Sequence, residues 1–522
     1  MGTSHRNVGQ GMTMSDMVAR FARTNPDGVA LRAGDETLTW HEFDGRITRL
    51  ANLLAAGGVA QGDRVAVLGL NSSAVVVAMA ATLRLGAICV PINFRMVAAE
   101  ISYLLADSGA VAAVADERFL GVLDAARTEV PACVTVIPIG ADWTDRLAAA
   151  PDTAPEVDVP DGDPAFIMYT SGTTGRPKGA VLTHRNLMLH AFSNVLHMGI
   201  DTTPTVSMSG APLFHIAGVS GFYITLVRGG TTVLTPSGGF DPAHVVDLLE
   251  RERVTSTFMV PAQWAAVVAL PGIADRDLSA LRTLSWGAAP ASTTLLRTMI
   301  DTFPQADVVT AFGQTECSPV TCVLRGEDSI TKIGSIGTPM LNVEVRVVDD
   351  EMNDVRQGEI GEIVYRGPLV MSGYWNKPEE TAAAFEGGWF HSGDLVRADA
   401  DGYLYVVDRK KDMIISGGEN IYCAEVENVL AAHPQVGEVA LIGVPDPRYG
   451  ETPLAVIAPR DAANPPTAAD IQEFCRQQLA AYKCPRDIAI VDALPRNPSG
   501  KVVKTQLRAA HGGVGIVAAP AV

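Results

Sequence analysis

Cationic side chains are in short supply. The 522 residues carry 40 lysines and arginines against 58 aspartates and glutamates, a formal charge of −18. That balance excludes nucleic acid or an anionic membrane surface as the main partner, because no surplus of cations offsets phosphate repulsion. Cysteine is scarce: seven are scattered along the chain and none forms a C-x-x-C pair. The count fits neither a disulfide framework nor a zinc ribbon, and a reduced, cytoplasmic, metal-free set of thiols is expected. No clean membrane-length apolar run is present. The most apolar stretch, residues 74–92, is interrupted by Arg84 and carries Pro91 near its end, which predicts a helix followed by a strand instead of a transmembrane segment. The opening "MGTSHRNVGQGM" lacks an apolar centre, so no secretory leader is expected. Arg6 stands where a myristoylation pattern starting at Gly2 wants Ser or Thr. A Walker A loop is missing too: Gly172 and Gly175 are too close, Pro177 intervenes, and Lys178 is followed by Gly179.

What is present is a globular composition, 47% hydrophobic and 19% charged, in a chain long enough for two or more domains. From about residue 28 to 313, strand-like and helix-like segments alternate: "RVAVLGL" precedes "SSAVVVAMAATLRLG", "DPAHVVDLLERERV" precedes "STFMVP", and "LRTLSWGA" precedes "ASTTLLRTMIDTF". Alternation of this kind predicts helix-covered, mostly parallel sheets. From about Asn342 the strands "NVEVRVVDD", "GEIVYRG" and "GYLYVVD" follow without intervening helices, which predicts a β-rich subdomain over about 340–410. Alternation resumes after Lys411. The expected fold is therefore α/β: a large N-terminal domain, residues 1–410, and a small, mobile α+β C-terminal domain, residues 411–522.

One polar stretch stands out, "YTSGTTGRPKGAVLTH" at residues 169–184. The apolar "AFIMYT" before it reads as a buried strand, and Leu187, Met188, Ala191, Phe192, Val195 and Leu196 recur at helical spacing after it. Strand, glycine-rich turn and helix would present free backbone N–H groups, hydroxyls and a cation, the components of a phosphate cradle. Four further stretches follow in order: "GAAP" with "FGQTE" at 287–290 and 312–316, "GWFHSGD" at 388–394, "DRKKDMIISGGENIYCAEVE" at 408–427 and "PRNPSGKVVK" at 495–504. Together they resemble the AMP-forming adenylate ligases: acyl-CoA synthetases, firefly-luciferase-like enzymes and peptide-synthetase adenylation domains. The resemblance spans about residues 15–510 and is nearest to bacterial fatty-acid–CoA ligases of the mycobacterial type. Phe312 departs from it, since the family usually has tyrosine there; ring stacking on adenine is retained and a hydroxyl contact is lost.

The resemblance implies two half-reactions: a carboxylate attacks the α-phosphate of ATP to give acyl-adenylate and pyrophosphate, and the thiol of coenzyme A then displaces AMP. The first step brings two anions together, so catalysis rests on positioning and charge stabilisation. The implied ATP-binding residues are Thr170, Ser171, Gly172, Thr173, Thr174, Gly175 and Lys178 around the phosphates. Gly287, Ala288, Ala289, Phe312 and Gly313 are implied beside the adenosine, with Asp394 on the ribose hydroxyls and Arg409 supporting ribose or phosphate. Thr315 would contact the α-phosphate, and Glu316, a hard oxygen ligand, would hold Mg2+. Lys501 is implied as the catalytic cation and Lys411 as the hinge about which the small domain turns. Gly417, Gly418 and Glu419 would line the pantetheine route. Cys317 invites a nucleophile reading, but adenylate chemistry needs no protein thiol, and it reads as a small buried residue.

His215, in "PLFH", is expected to gate the acyl site. Ala217, Gly218, Ser220 and Gly221 follow it and are expected to leave room for an acyl chain, with Trp264 either a wall or core. No acidic residue in this stretch could pair with an ammonium, which disfavours an amino-acid substrate. A medium- or long-chain fatty acid fits best; an aromatic acid, or a carrier-protein thiol as acceptor, stays open, as do peripheral membrane contact and oligomerisation.

Overall fold

A computed structural model describes residues 12–170, 177–199, 205–237, 239–289, 291–416, 419–496 and 501–512. Its contacts divide the chain into two compact units, Met1–Val345 with Tyr365–Phe390, and Arg346–Val364 with His391–Val522.

The first unit holds two sheets. The six-stranded one runs Thr135–Ile139, Ala110–Asp116, Arg64–Leu68, Ile88–Ile92, Pro164–Thr170, Lys178–Thr183. Its first five strands are parallel and the last is antiparallel. The central strands are near-continuous apolar runs because helices cover both faces of such a sheet. Helix Ser73–Arg84, expected from the apolar stretch, is buried along its whole length. Its buried terminal arginine is paired: Arg84 donates to Asp44 Oδ1 at 2.6 Å and to Thr48 Oγ1 at 2.6 Å.

The stretch after the polar loop corrects the sequence expectation. Strand, turn and helix were expected; a second strand, Lys178–Thr183, intervenes before helix His184–His197. It folds back on Pro164–Thr170 as a hairpin, with Thr170 opposite Lys178. Ala180, Val181 and Leu182 are buried at this sheet edge, and Thr183 caps the helix.

The nine-stranded sheet runs Thr338–Pro339, Val320–Leu324, Asp307–Gly313, Thr283–Gly287, Ser256–Met259, Val206–Ser209, Thr231–Leu234, Val29–Ala33, Glu36–Thr39. The six strands from Asp307–Gly313 to Val29–Ala33 are parallel, and antiparallel strands close both edges.

Four strands, Glu344–Val348, Ile360–Arg366, Phe390–Ala398 and Leu404–Arg409, form a further sheet. The β-rich stretch is not free of helices as expected: Pro378–Ala384 is helical, started by its proline. In the second unit, Glu419–Ile421, Ile414–Ser416, Gly450–Pro459 and Val436–Asp446 lie in that order, and Asp487–Ile490 pairs with Gly450–Pro459. Helices Cys423–Ala431 and Ala468–Arg476 bury Val426, Leu430, Ile471 and Cys475 in the same core.

All seven cysteines are free and buried, Cys317 included. No helix among the described residues is long and apolar enough to cross a membrane.

Candidate active site

Strands Val206–Ser209, Ser256–Met259, Thr283–Gly287 and Asp307–Gly313 are parallel neighbours, so their carboxyl ends share one edge of the sheet. Ligands of open α/β sheets collect at that edge. His215 follows the first of these strands, Gly287, Ala288 and Ala289 complete the third, and Phe312 to Glu316 complete the fourth. The turns are tight. Ala288 has a left-handed φ of 65°. A Cβ on Gly287 would lie 2.1 Å from the Ala311 carbonyl oxygen, and one on Gly313 2.1 Å from that of Pro319, so only glycine permits these close backbone approaches.

Glu316 sits in the short helical turn Thr315–Cys317 and is only 8% exposed. Tyr374 Oη donates to Glu316 Oε1 at 3.0 Å. Burial, then the Glu316 carboxylate, push the Tyr374 phenol well above its usual pKa, so it remains a donor. Its ring also faces Lys178, with Nζ 5.1 Å from the centroid. Backbone pairing brings these groups together. Met371 N–H donates to the Glu316 carbonyl at 2.7 Å, Ser372 N–H to Val181 at 3.0 Å and Trp375 N–H to Gly179 at 2.8 Å. Residues 371–375 thus run beside strand Lys178–Thr183. Thr170 and Lys178 flank the polar loop as a register pair; Ser171, Gly172, Thr173, Thr174 and Gly175 lie outside the described residues.

His215 caps helix Ile216–Leu226, its Nδ1 accepting the Ala217 N–H at 3.2 Å. A Cβ on Gly218 would lie 2.4 Å from the Pro212 carbonyl oxygen; this glycine lets the helix approach the preceding loop. Buried Ser220 turns its hydroxyl toward His190 Nδ1, 3.5 Å away. A Cβ on Gly221 would keep ordinary clearance, 3.6 Å from Ser209. Trp264 has no exposed surface, packs in the core of this sheet, donates Nε1–H to the Ser285 carbonyl at 3.1 Å and meets Phe303 edge-on at 6.0 Å.

A second group of predicted residues lies in the second unit. Asp394 and Arg409 are cross-strand partners, joined from Nε to Oδ1 at 2.7 Å. Ser392 Oγ accepts the Asp394 N–H at 2.9 Å and Glu362 Oε1 accepts the Gly393 N–H at 2.9 Å, which shapes the turn. Burial raises the Asp394 carboxyl pKa, while Arg409, Lys501 and Lys411 pull the other way. One buried carboxylate therefore feels three cations. The Lys411 ammonium is lowered, first by partial burial, and Arg409 and Arg508 act in the same direction. Next to this group, burial pushes Asp408 up to about 6 although it accepts the N–H groups of Arg409 and Cys423. Helix Lys504–His511, just after Lys501, is tied down by Lys504–Glu427 at 2.8 Å and Arg508–Asp412 at 2.9 Å. Glu419 opens an exposed strand end; Gly417 and Gly418 lie outside the described residues.

Taken separately, the first unit offers a cation, a buried carboxylate and glycine-lined turns, and the second offers a carboxylate among cations. Both suit a polyanion carrying hydroxyl groups. Residues 18–375 match the AMP-binding enzyme family, and residues 425–501 match the AMP-binding enzyme C-terminal domain. The chain belongs to the AMP-binding enzymes. This AMP-binding enzyme is 42% identical over 506 residues to a feruloyl-CoA synthase of Amycolatopsis sp., covering 94% of this chain and 98% of that one. It is 37% identical to a long-chain-fatty-acid–CoA ligase of Mycobacterium tuberculosis, covering 91% and 93%. It superimposes on o-succinylbenzoate coenzyme A synthetase of Bacillus subtilis, solved with ATP and magnesium ion, with TM-score 0.85 and 33% identity over 94% of this chain and 99% of that one. The AMP-binding enzyme is accordingly an AMP-forming acyl-CoA ligase, using ATP, Mg2+ and coenzyme A.

Tyr374 was not singled out from the sequence, nor were Asp107, Tyr103 and Lys377, which bond to Tyr169, Pro177 and Asp107 respectively. "GYWNK" carries no catalytic signature, and only the strand pairing reveals what Tyr374 reaches.

Proposed function

We propose that this ligase activates a compact aromatic carboxylic acid, the alternative left open by the sequence, and passes the acyl group to coenzyme A. The observation that carries this reading is the tight packing of the helix that follows His215. The space at Gly218 is taken by the Pro212 carbonyl, Ser220 turns to His190, and Trp264 is core. These small residues do not add up to a channel for a long chain. The 42% identity with a feruloyl-CoA synthase supports the same class. A fatty acid is the second reading, favoured by the 37% identity with the mycobacterial ligase.

In this proposal the carboxylate attacks the α-phosphate and pyrophosphate leaves; the thiol of coenzyme A then attacks the acyl carbonyl and AMP leaves. Lys178 and the polar loop bind the terminal phosphates, and Thr315 meets the α-phosphate. The buried Glu316 carboxylate is the hard oxygen donor that suits Mg2+, which neutralises phosphate charge when bound. Asp394, held by Arg409, accepts from the ribose hydroxyls. Lys501 stabilises charge on the reacting oxygens, and the two halves of the reaction are separated by a turn at Lys411, the boundary between residues 1–410 and 411–522. His215 borders the acyl site.

A panel of acids scored by coenzyme-A-dependent AMP formation tests the assignment. Ferulate or cinnamate should exceed dodecanoate in kcat/KM. If activity instead climbs steadily from hexanoate to dodecanoate, as burial of about 0.8 kcal/mol per methylene dictates for an apolar channel, the fatty-acid reading replaces the aromatic one.

A further inference from the structure

The chain on either side of residues 171–176 is fastened to one helix, by a carboxylate and a phenol that no motif contains. Asp107 closes helix Ala98–Ser108 and its side chain is 8% exposed. Asp107 Oδ2 accepts Tyr169 Oη–H at 2.7 Å, one residue before the paired strand end at Thr170. Asp107 Oδ1 accepts Lys377 Nζ at 2.8 Å. Tyr103, one helical turn earlier, sends its hydroxyl proton to the Pro177 carbonyl at 2.9 Å, with Asp107 Oδ1 farther away at 3.4 Å. Loop entry at Tyr169 and loop exit at Pro177 are thus both fastened to this helix.

The third partner connects the loop to the carboxylate site. Lys377 N–H donates to the Tyr374 carbonyl at 3.2 Å, so the lysine holding Asp107 closes the turn that carries Tyr374. Tyr374 in turn donates to Glu316 and faces Lys178. A one-sided tether would set only Tyr169; this arrangement sets the hairpin ends at Tyr169 and Lys178 relative to Glu316. The phenol of Tyr169 is raised well above its usual range, first by burial and then by Asp107, and stays a donor. Gly179 lies opposite it in the hairpin, where a Cβ would meet Ile167 Cγ2 at 2.4 Å and Tyr169 Cζ at 3.3 Å.

We infer that Asp107 is a positioning residue for the ATP half-reaction, fixing the hairpin ends at Tyr169 and Lys178 against the Tyr374–Glu316 pair without itself touching a reacting atom. This rests on the assignment of the loop and Glu316 to ATP. Hydrogen bonds to a charged group sustain roughly a 10- to 100-fold effect when lost, and misplacement of a phosphate cradle is felt in the step that uses it.

The test compares Asp107→Ala, Asp107→Asn and Tyr103→Phe with the wild type in three measurements: acid-dependent ATP–pyrophosphate exchange, the Kd for MgATP by equilibrium dialysis, and thioester formation from synthetic acyl-adenylate and coenzyme A. Asp107→Ala should lose about 10- to 100-fold in kcat/KM for ATP and bind MgATP more weakly. Asp107→Asn, which keeps an acceptor oxygen, should recover part of both. Tyr103→Phe removes a single hydroxyl, keeps the ring, and should weaken MgATP binding even if Asp107→Ala fails to fold. Thioester formation should stay within about threefold of wild type. Equal loss of both half-reactions, or unchanged exchange and MgATP binding in every folded variant, overturns the inference while wild-type exchange leaves the ATP assignment standing. Absence of acid-dependent exchange in the wild type overturns both.

Discussion

Acidification should loosen the first unit through two histidines buried without charge. His190 is fully buried and its pKa is held at about 3; His184 is equally inaccessible, with its pKa at about 4, and neither of its ring nitrogens has a partner among the described residues. Desolvation is the main cause in both, and Asp163, Asp16 and Asp161 oppose it only partly at His184. His190 also joins two sides of the site: Nε2 accepts the Val320 N–H at 3.1 Å, just after the Glu316 turn, and Nδ1 faces Ser220 on the helix capped by His215. Protonation would set an imidazolium N–H against the Val320 N–H. Both folded pKa values lie below the unfolded value of 6.5. The stabilisation is therefore fully present above pH 6.5 and is lost as pH falls toward the folded pKa values, because only the unfolded chain takes up the protons. With the slope rising to about 1.36 kcal/mol per pH unit below 6.5, each histidine removes about 1.6 kcal/mol between pH 6.5 and 5.0, about 3 together. All six tryptophans, Trp40, Trp143, Trp264, Trp286, Trp375 and Trp389, belong to the first unit, so urea melts followed by tryptophan fluorescence report it selectively. His190→Gln keeps an acceptor for Val320 and cannot titrate in this range; its pH slope between 6.5 and 5.0 should be about half that of the wild type. An unchanged slope would refute the account of His190.

Other outcomes concern catalysis and packing. Lys501→Ala should lower acid-dependent pyrophosphate exchange about 100- to 1000-fold and spare thioester formation from supplied acyl-adenylate. Lys411→Pro should do the reverse, because proline fixes φ at the proposed hinge; equal loss of both steps in both folded variants would remove the alternating-domain scheme. Gly218→Ala should destabilise the first unit by about 1–3 kcal/mol, since its Cβ meets backbone that cannot yield freely, read as a lower urea midpoint, whereas Gly221→Ala should be nearly silent.

The parallel cores were legible because their strands are short apolar runs between amphipathic helices; Pro242–Arg251 and Ser256–Met259 fall where periodicity puts them. Strand Lys178–Thr183 was not, since six residues between a polar loop and a helix carry too little period to separate strand from helix start. The site divides the same way. Asp394 and Arg409 lie in ordered motifs and meet across two adjacent strands. Tyr374 and Glu316 are 58 positions apart, and Lys377 and Asp107 270 apart; no local pattern encodes such pairs, and they follow only from the pairing of residues 371–375 with the hairpin. Trp264 was divided between wall and core because an indole serves either role until its N–H partner is known.

The burial of every cysteine makes this chain a ready-made background for distance measurement. Its native thiols are desolvated, with Cys322, Cys423 and Cys475 pushed up to about 12, so almost no reactive thiolate exists at neutral pH. A cysteine introduced at Val134, 73% exposed in the first unit, and another at Ile490, 44% exposed in the second, would be labelled in preference to all seven. A spin or dye pair at those two positions would then follow the separation of the units through adenylation and thioester formation without removing a single native cysteine.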